Sequence, residues 1–204
     1  MNLIERVKNI IITPKTEWDV INGESTTPPM LLTSYVIPMA LIPAVATFIG
    51  MGLIGVDVFG IKVGGIKYGL ALGIMSFLGS IVSYYVSTYV IDALAPTFKS
   101  EKDINKSAQL VAYSSTAAYV AGIFSILPAL SFLGILALYA IYLFYIGLPK
   151  LKKTPQDQVV VYMVVGALII IVVSVVVNLI LTKVVYSIVG NPFAMGMDDL
   201  FKFK

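Results

Sequence analysis

The chain has 204 residues, of which 58% are hydrophobic and only 12% charged, about half the ~25% charged content of a soluble domain. Neither cysteine nor histidine occurs, which excludes disulfides, thiolate or imidazole metal sites, cysteine nucleophiles and imidazole bases. With a mean hydropathy of +0.93 and a net charge of only +3, the composition is that of an integral membrane protein, and nucleic acid is not an expected partner.

The first 24 residues mix Arg6, Lys8 and Lys15 with Glu5, Glu17, Asp19 and Glu24 and contain no signal-peptide pattern. Leu3, Ile4, Val7, Ile10 and Ile11 fall on one helical face, and Glu5, Arg6, Lys8 and Asn9 on the other. Asn2 followed by Glu5 has capping-box spacing. Residues 1–24 are therefore expected to be a cytoplasmic amphipathic segment lying in the membrane interface. The alternative is that it packs on the protein's own spans. Thr13-Pro14 should stop the first helix, and a second should start with Thr16 as N-cap and end at Gly23. Trp18, the single tryptophan, suits headgroup depth.

Four uncharged runs follow: 32 residues between Glu24 and Asp57, 24 between Lys67 and Asp92, 43 between Lys106 and Lys150, and 25 between Asp157 and Lys183. One membrane helix needs ~20 apolar residues, so the 43-residue run holds two, broken at Pro128. The predicted fold is an all-α polytopic membrane helix bundle. Its spans lie at about 30–55, 68–92, 107–127, 130–149 and 158–184, inside a membrane domain 25–189, with a short tail 190–204. Pro38 and Pro43 should kink or break the first span. Residues 56–67 alternate in polarity around Gly64-Gly65, as in a small hairpin.

With five spans, nine basic residues share one side and five the other. The positive-inside rule then predicts a cell (inner) membrane protein with its N-terminus cytoplasmic and its C-terminus on the far side. Lys150, Lys152 and Lys153 follow the helix-ending Gly147-Leu148-Pro149. They are expected to contact anionic headgroups or a partner, together with Trp18.

The second span carries Gly69, Gly73, Ser76, Ser80, Ser83 and Ser87 at spacings of 4, 3, 4, 3 and 4. This is a small-residue packing seam. It serves either contacts within one bundle or a homodimer, and a polar pore stripe is a third reading. Ser114, Ala118, Ala121 and Ser125 repeat the device in the third span. Asp92, at the inner edge of the second span, is an ionisable group expected to pair with Lys99, Lys102 or Lys106, or to carry protons or ions. Asn178, Gln109 and the tyrosines of the middle spans should bond between helices. No catalytic group, cofactor site, metal site or phosphate-binding loop is read: intramembrane serine and metalloproteases need histidine, and an aspartyl type needs two aspartates at membrane depth.

"RVKNIIITPKTEWDVI" (6–21), "LVAYSSTAAYVAGIFSILPAL" (110–130) and "LYAIYLFYIGLPKLKKTPQDQ" (138–158) resemble segments of the bacterial branch of the Yip family, the Ypt/Rab-interacting membrane proteins. Ala117 stands where that family often has a proline after "YSST". The resemblance covers most of residues 1–185 and implies five spans with a cytoplasmic N-terminus. Eukaryotic members have a longer N-terminal region with an acidic-aromatic motif. The 27 or so residues before the first span here lack it, so binding of a Rab-type GTPase is not implied. The expected function is a non-enzymatic membrane adaptor or organiser acting through membrane lipids or a membrane-protein partner. The alternative is a small transporter, channel or lipid-handling protein.

Overall fold

In the computed structural model, residues 2–58 and 61–189 are described. Five helices among them are long and apolar enough to cross a membrane: Pro28–Ile54, Ile66–Phe98, Ile104–Ile126, Phe132–Lys152 and Gln156–Ser187. The expected tail 190–204 lies outside the described residues.

Two short helices precede the first span. α1 (Leu3–Ile12) starts where the Asn2 side chain accepts a hydrogen bond from the Ile4 amide. α2 (Pro14–Asn22) has Thr13 as its N-cap, three residues before the expected Thr16, because Pro14 is preorganised for the first helical position; Gly23 is its C-cap. The two helices pack on each other, and α2 rests on the end of the fourth span.

The first span is unbroken despite its prolines. It runs through α3 (Pro28–Leu31), a π-helical turn at Leu32–Val36, α4 (Ile37–Thr47) and a second π-helical stretch at Phe48–Ile54. The π turn before Pro38 widens the helix where that ring needs room and has no N–H to donate, whereas Pro43 is held inside α4 itself. The hairpin of β1 (Val56–Val58) and β2 (Ile61–Val63) is antiparallel. Gly64-Gly65 follows β2 and does not lie between the strands. Those glycines, with φ of +157° and +130°, lead the chain into the second span, where Gly64 lies against the backbone of Gly55 and Met51.

α5 (Ile66–Leu94) is the central helix, packed by the first span, by α6 (Ile104–Ser114) and by α9 (Gln156–Val189). The third span continues from α6 through α7 (Thr116–Ala121). Ser114, Ser115 and Thr116 each turn a hydroxyl back onto a carbonyl of the preceding turn, which competes with the helical ladder and bends the rod there. The break near Pro128 is present: Leu127 is extended, and a 3₁₀ stretch at Pro128–Leu138 follows before α8 (Tyr139–Lys152). The loops after α5 and α8 both turn through a left-handed lysine, Lys99 and Lys153.

The buried cluster joins all these parts: Ile10, Trp18 and Ile21 from the N-terminal helices with Tyr35, Ile91, Leu110, Leu143, Leu148 and Tyr162 from the spans. The third span is the innermost, 56% buried in its most apolar stretch against 17% for the fourth and fifth. α9 exposes Val164, Leu168, Ile171, Val172, Val175, Leu179 and Ile180. Such a continuous apolar surface would be unstable in water and is the expected lipid face of a membrane bundle.

Candidate functional site at the lysine-bearing end

The N-terminal helices and the loops after α5 and α8 meet at one end of the bundle, where the chain's ion pairs concentrate. Lys152 is fully buried at the end of α8. Its ammonium donates to the Asp92 carboxylate at 3.1 Å, the Ser107 hydroxyl at 2.7 Å and the Asp103 carbonyl at 3.0 Å. Ser107 in turn donates to Asp92. Three N–H groups meet three acceptors, which is the condition for holding a lysine away from water. The cluster ties α5, α6 and α8 together.

This differs from the expected headgroup contact of Lys152, and from the expected pairing of Asp92 with Lys99, Lys102 or Lys106. Lys152 follows Leu148 and Leu151 on the packed stripe of α8, so its side chain can only turn inward. The other two lysines of the run are also engaged. Lys150 pairs with Asp19 and donates to the Lys15 carbonyl, and Lys153 pairs with Glu101 at 2.7 Å. Lys106 reaches the carbonyls of Asn22 and Glu24.

Trp18 is fully buried. Its ring covers Gly147, where an added Cβ would come within 2.7 Å of it, and it meets Tyr113 edge-on. The N-terminal segment thus packs on the protein's own spans. Arg6, expected on the polar face of α1, is buried between Glu17 and Glu24 with its guanidinium 5.0 Å above the Tyr113 ring. Ile4, expected on the apolar face, is exposed instead. Leu3, Arg6, Val7 and Ile10 have i, i+3, i+4, i+7 spacing, the signal that places Arg6 inward. Tyr139 donates to the Ile11 carbonyl, and Gln109 to the Glu24 carbonyl and the Thr26 hydroxyl.

The outer surface of this end keeps Lys8, Lys15, Lys99 and Lys102 exposed, with no ion pair among the described residues. The N-terminal helices also expose Ile4, Ile12 and Val20.

The seam of α5 divides in two. Gly69 lies against the Gly52 backbone, where an added Cβ would approach to 2.3 Å, and Gly73 lies against Ala44 and Phe48. Ser76, Ser80, Ser83 and Ser87 instead border a cavity of about 400 Å³ shared with the third and fifth spans. Asn178, expected to bond between helices, also lines this cavity. Among the described residues no group of three His, Cys, Asp or Glu is placed to hold a metal ion.

Five apolar spans, a docked amphipathic N-terminal segment and an ion-paired end now stand together, and the Yip1 domain matches residues 8–178. The chain belongs to the Yip1 domain family. It is an integral membrane protein of that family, as the three quoted segments suggested. No curated protein and no solved structure matches it. The Yip1 domain match includes Trp18, Asp92, Lys152 and the whole α5 seam, and stops at Asn178.

Proposed function

We propose that this Yip1 domain protein is a non-enzymatic membrane adaptor or organiser whose lysine-bearing end faces the cytoplasm. The observation that carries this reading is the exposed set Lys8, Lys15, Lys99 and Lys102 together with exposed Ile4, Ile12 and Val20. Apolar side chains combined with lysines suit the boundary between headgroups and acyl chains. The lysine bias of the loops supports a cytoplasmic N-terminus in the cell membrane. Within this reading Lys150 and Lys153, both still partly or fully exposed, join the contact surface, while Lys152 and Trp18 hold its shape. Partners are anionic lipids and a membrane protein; a second copy of the chain is a further candidate.

The test is cross-linking in the membrane at native expression, followed by mass spectrometry. It compares the natural chain with one carrying Lys8→Glu, Lys15→Glu, Lys99→Glu and Lys102→Glu, after the topology of both has been checked. Loss of a stoichiometric partner or of anionic-lipid cross-links supports the adaptor reading. An unchanged set of cross-links sinks it.

The serine-bordered cavity favours the lipid-handling form of the alternative. Transport of a charged solute has less support, because no charged side chain lines that cavity.

A further inference from the structure

The cavity between α5, the third span and α9 adjoins another, and the two are called the polar and apolar halves of one cleft. The second cavity, of about 460 Å³, is walled by Ile91, Phe144, Met163, Ala167 and Ile170. The two share Ser87, Val111 and Ser115. One half is therefore polar and the other almost wholly apolar.

The polar half holds hydroxyls that the protein itself leaves without partners. Ser87 and Tyr119 are 8% and 9% exposed. Both line the cavity, and neither side chain makes a hydrogen bond among the described residues. Ser83 and Asn178 stand exposed at the mouth and are likewise unpartnered. Within a bilayer no bulk water is present to satisfy such groups. Ser80 and Ser115 are different: each bonds a carbonyl of its own helix, at 2.8 Å. Both also line the cavity, so only part of its polar lining is free to bond a ligand.

Position and charge restrict what fits. The polar half spans residues 75–87, the middle of α5, and 174–181, in the C-terminal half of α9. No Lys, Arg, Asp or Glu lines either half. A phosphate or ammonium placed there would lose its hydration with no countercharge. A hydroxyl, ester or ketone could exchange hydrogen bonds with Ser87, Tyr119 and Asn178 without that penalty.

We propose that the cleft binds an uncharged amphiphile. Its hydrogen-bonding head sits against Ser83, Ser87, Tyr119 and Asn178, and its hydrocarbon chain sits between Ile91, Phe144 and Met163. Diacylglycerol and isoprenoid alcohols share this chemistry. The site is independent of the lysine-bearing surface, so failure of one reading leaves the other standing.

The full chain is reconstituted into phosphatidylcholine vesicles containing a diacylglycerol whose acyl chain carries a photoactivatable diazirine. The same acyl group on phosphatidylcholine and on phosphatidylglycerol serves as control. The diacylglycerol probe should label peptides from 76–91 and 163–181 at least fivefold more than either control. Excess unlabelled diacylglycerol or an isoprenoid alcohol should compete, and whichever competes better identifies the source of the head. Combined Ser87→Ala, Tyr119→Phe and Asn178→Leu should abolish the preference. Because these groups support no internal bond, thermal unfolding should not change. A second variant, Ala167→Phe, blocks the apolar half and should lower labelling with every polar group intact. Equal labelling by all three probes would reduce the cleft to ordinary lipid contact and overturn the proposal. Cross-links between two copies at these residues, in place of lipid adducts, would overturn it as well.

Discussion

The lysine-bearing end pairs its buried charges, whereas the serine-bordered cleft leaves neutral hydroxyls open. At the end, charged side chains are buried and fully partnered: Lys152 has three acceptors, and Arg6 has two carboxylates and a tyrosine face. In the cleft, the neutral hydroxyls of Ser87 and Tyr119, on largely buried residues, open onto the cavity with no partner among the described residues. The first arrangement fixes three spans and the N-terminal segment in one position. The second supplies hydrogen-bonding capacity that the fold does not use. Counting polar residues in membrane spans would group the two together, and the accounting of partners separates them.

The largest break in this contrast should come from Lys152. Lys152→Met alone leaves Asp92 charged and buried, and should cost about 3–5 kcal/mol. Asp92→Leu added to it removes the orphaned charge and should recover most of that loss. Thermal unfolding in detergent, measured on both single variants and on the double, checks the sign of the recovery. If the two losses simply add, the pair is not acting as a unit.

Next comes the docking of the N-terminal segment. Trp18→Ala opens a cavity beside Gly147 and Leu110 and should weaken docking by about 3–5 kcal/mol. The expected readout is faster proteolysis at 23–27, the linker between α2 and the first span. Gly147→Leu should produce the same cleavage from the opposite side of the contact. A smaller effect, about 1–3 kcal/mol, is expected for Gly69→Ala, because the Gly52 backbone has little room to withdraw. Thermal unfolding of that variant sets the glycine half of the α5 seam against the serine half.

These regions were unequally legible in the sequence. The five spans follow from uncharged runs, since length and charge are local properties. The break at Pro128 and the cap at Asn2 are local in the same way. The glycine half of the seam was also readable, because only small residues allow such approach. The partner of Asp92 was not. Lys152 lies 60 residues away, and a basic residue after Gly-Leu-Pro reads more simply as a headgroup anchor. The stripe Leu148, Leu151, Lys152 was the available signal, and it needs the helix to continue through Pro149, which it does. Arg6 was hidden similarly: its place in the apolar spacing of α1 was visible, but Glu17 and Glu24 meet it only once α2 folds back. That the serines border a cavity depends on where the third and fifth spans pack around α5, a tertiary fact that no spacing along α5 contains.

The smallest expected change is in the cleft. Ser87→Ala removes a hydroxyl that bonds to nothing in the protein, so the folded state loses no partner. In lipid-free detergent, stability should stay within about 0.5 kcal/mol of the natural chain, as the hydroxyl opens onto the cleft and its removal orphans no partner. Ser107→Ala, where the hydroxyl bridges Lys152 and Asp92, should instead cost about 1–3 kcal/mol. The two are the same substitution in buried residues, one with a hydroxyl partnered inside the protein and one with a hydroxyl open to the cleft. Equal losses at both positions would mean that Ser87 is engaged after all, and the contrast between the two regions would fall.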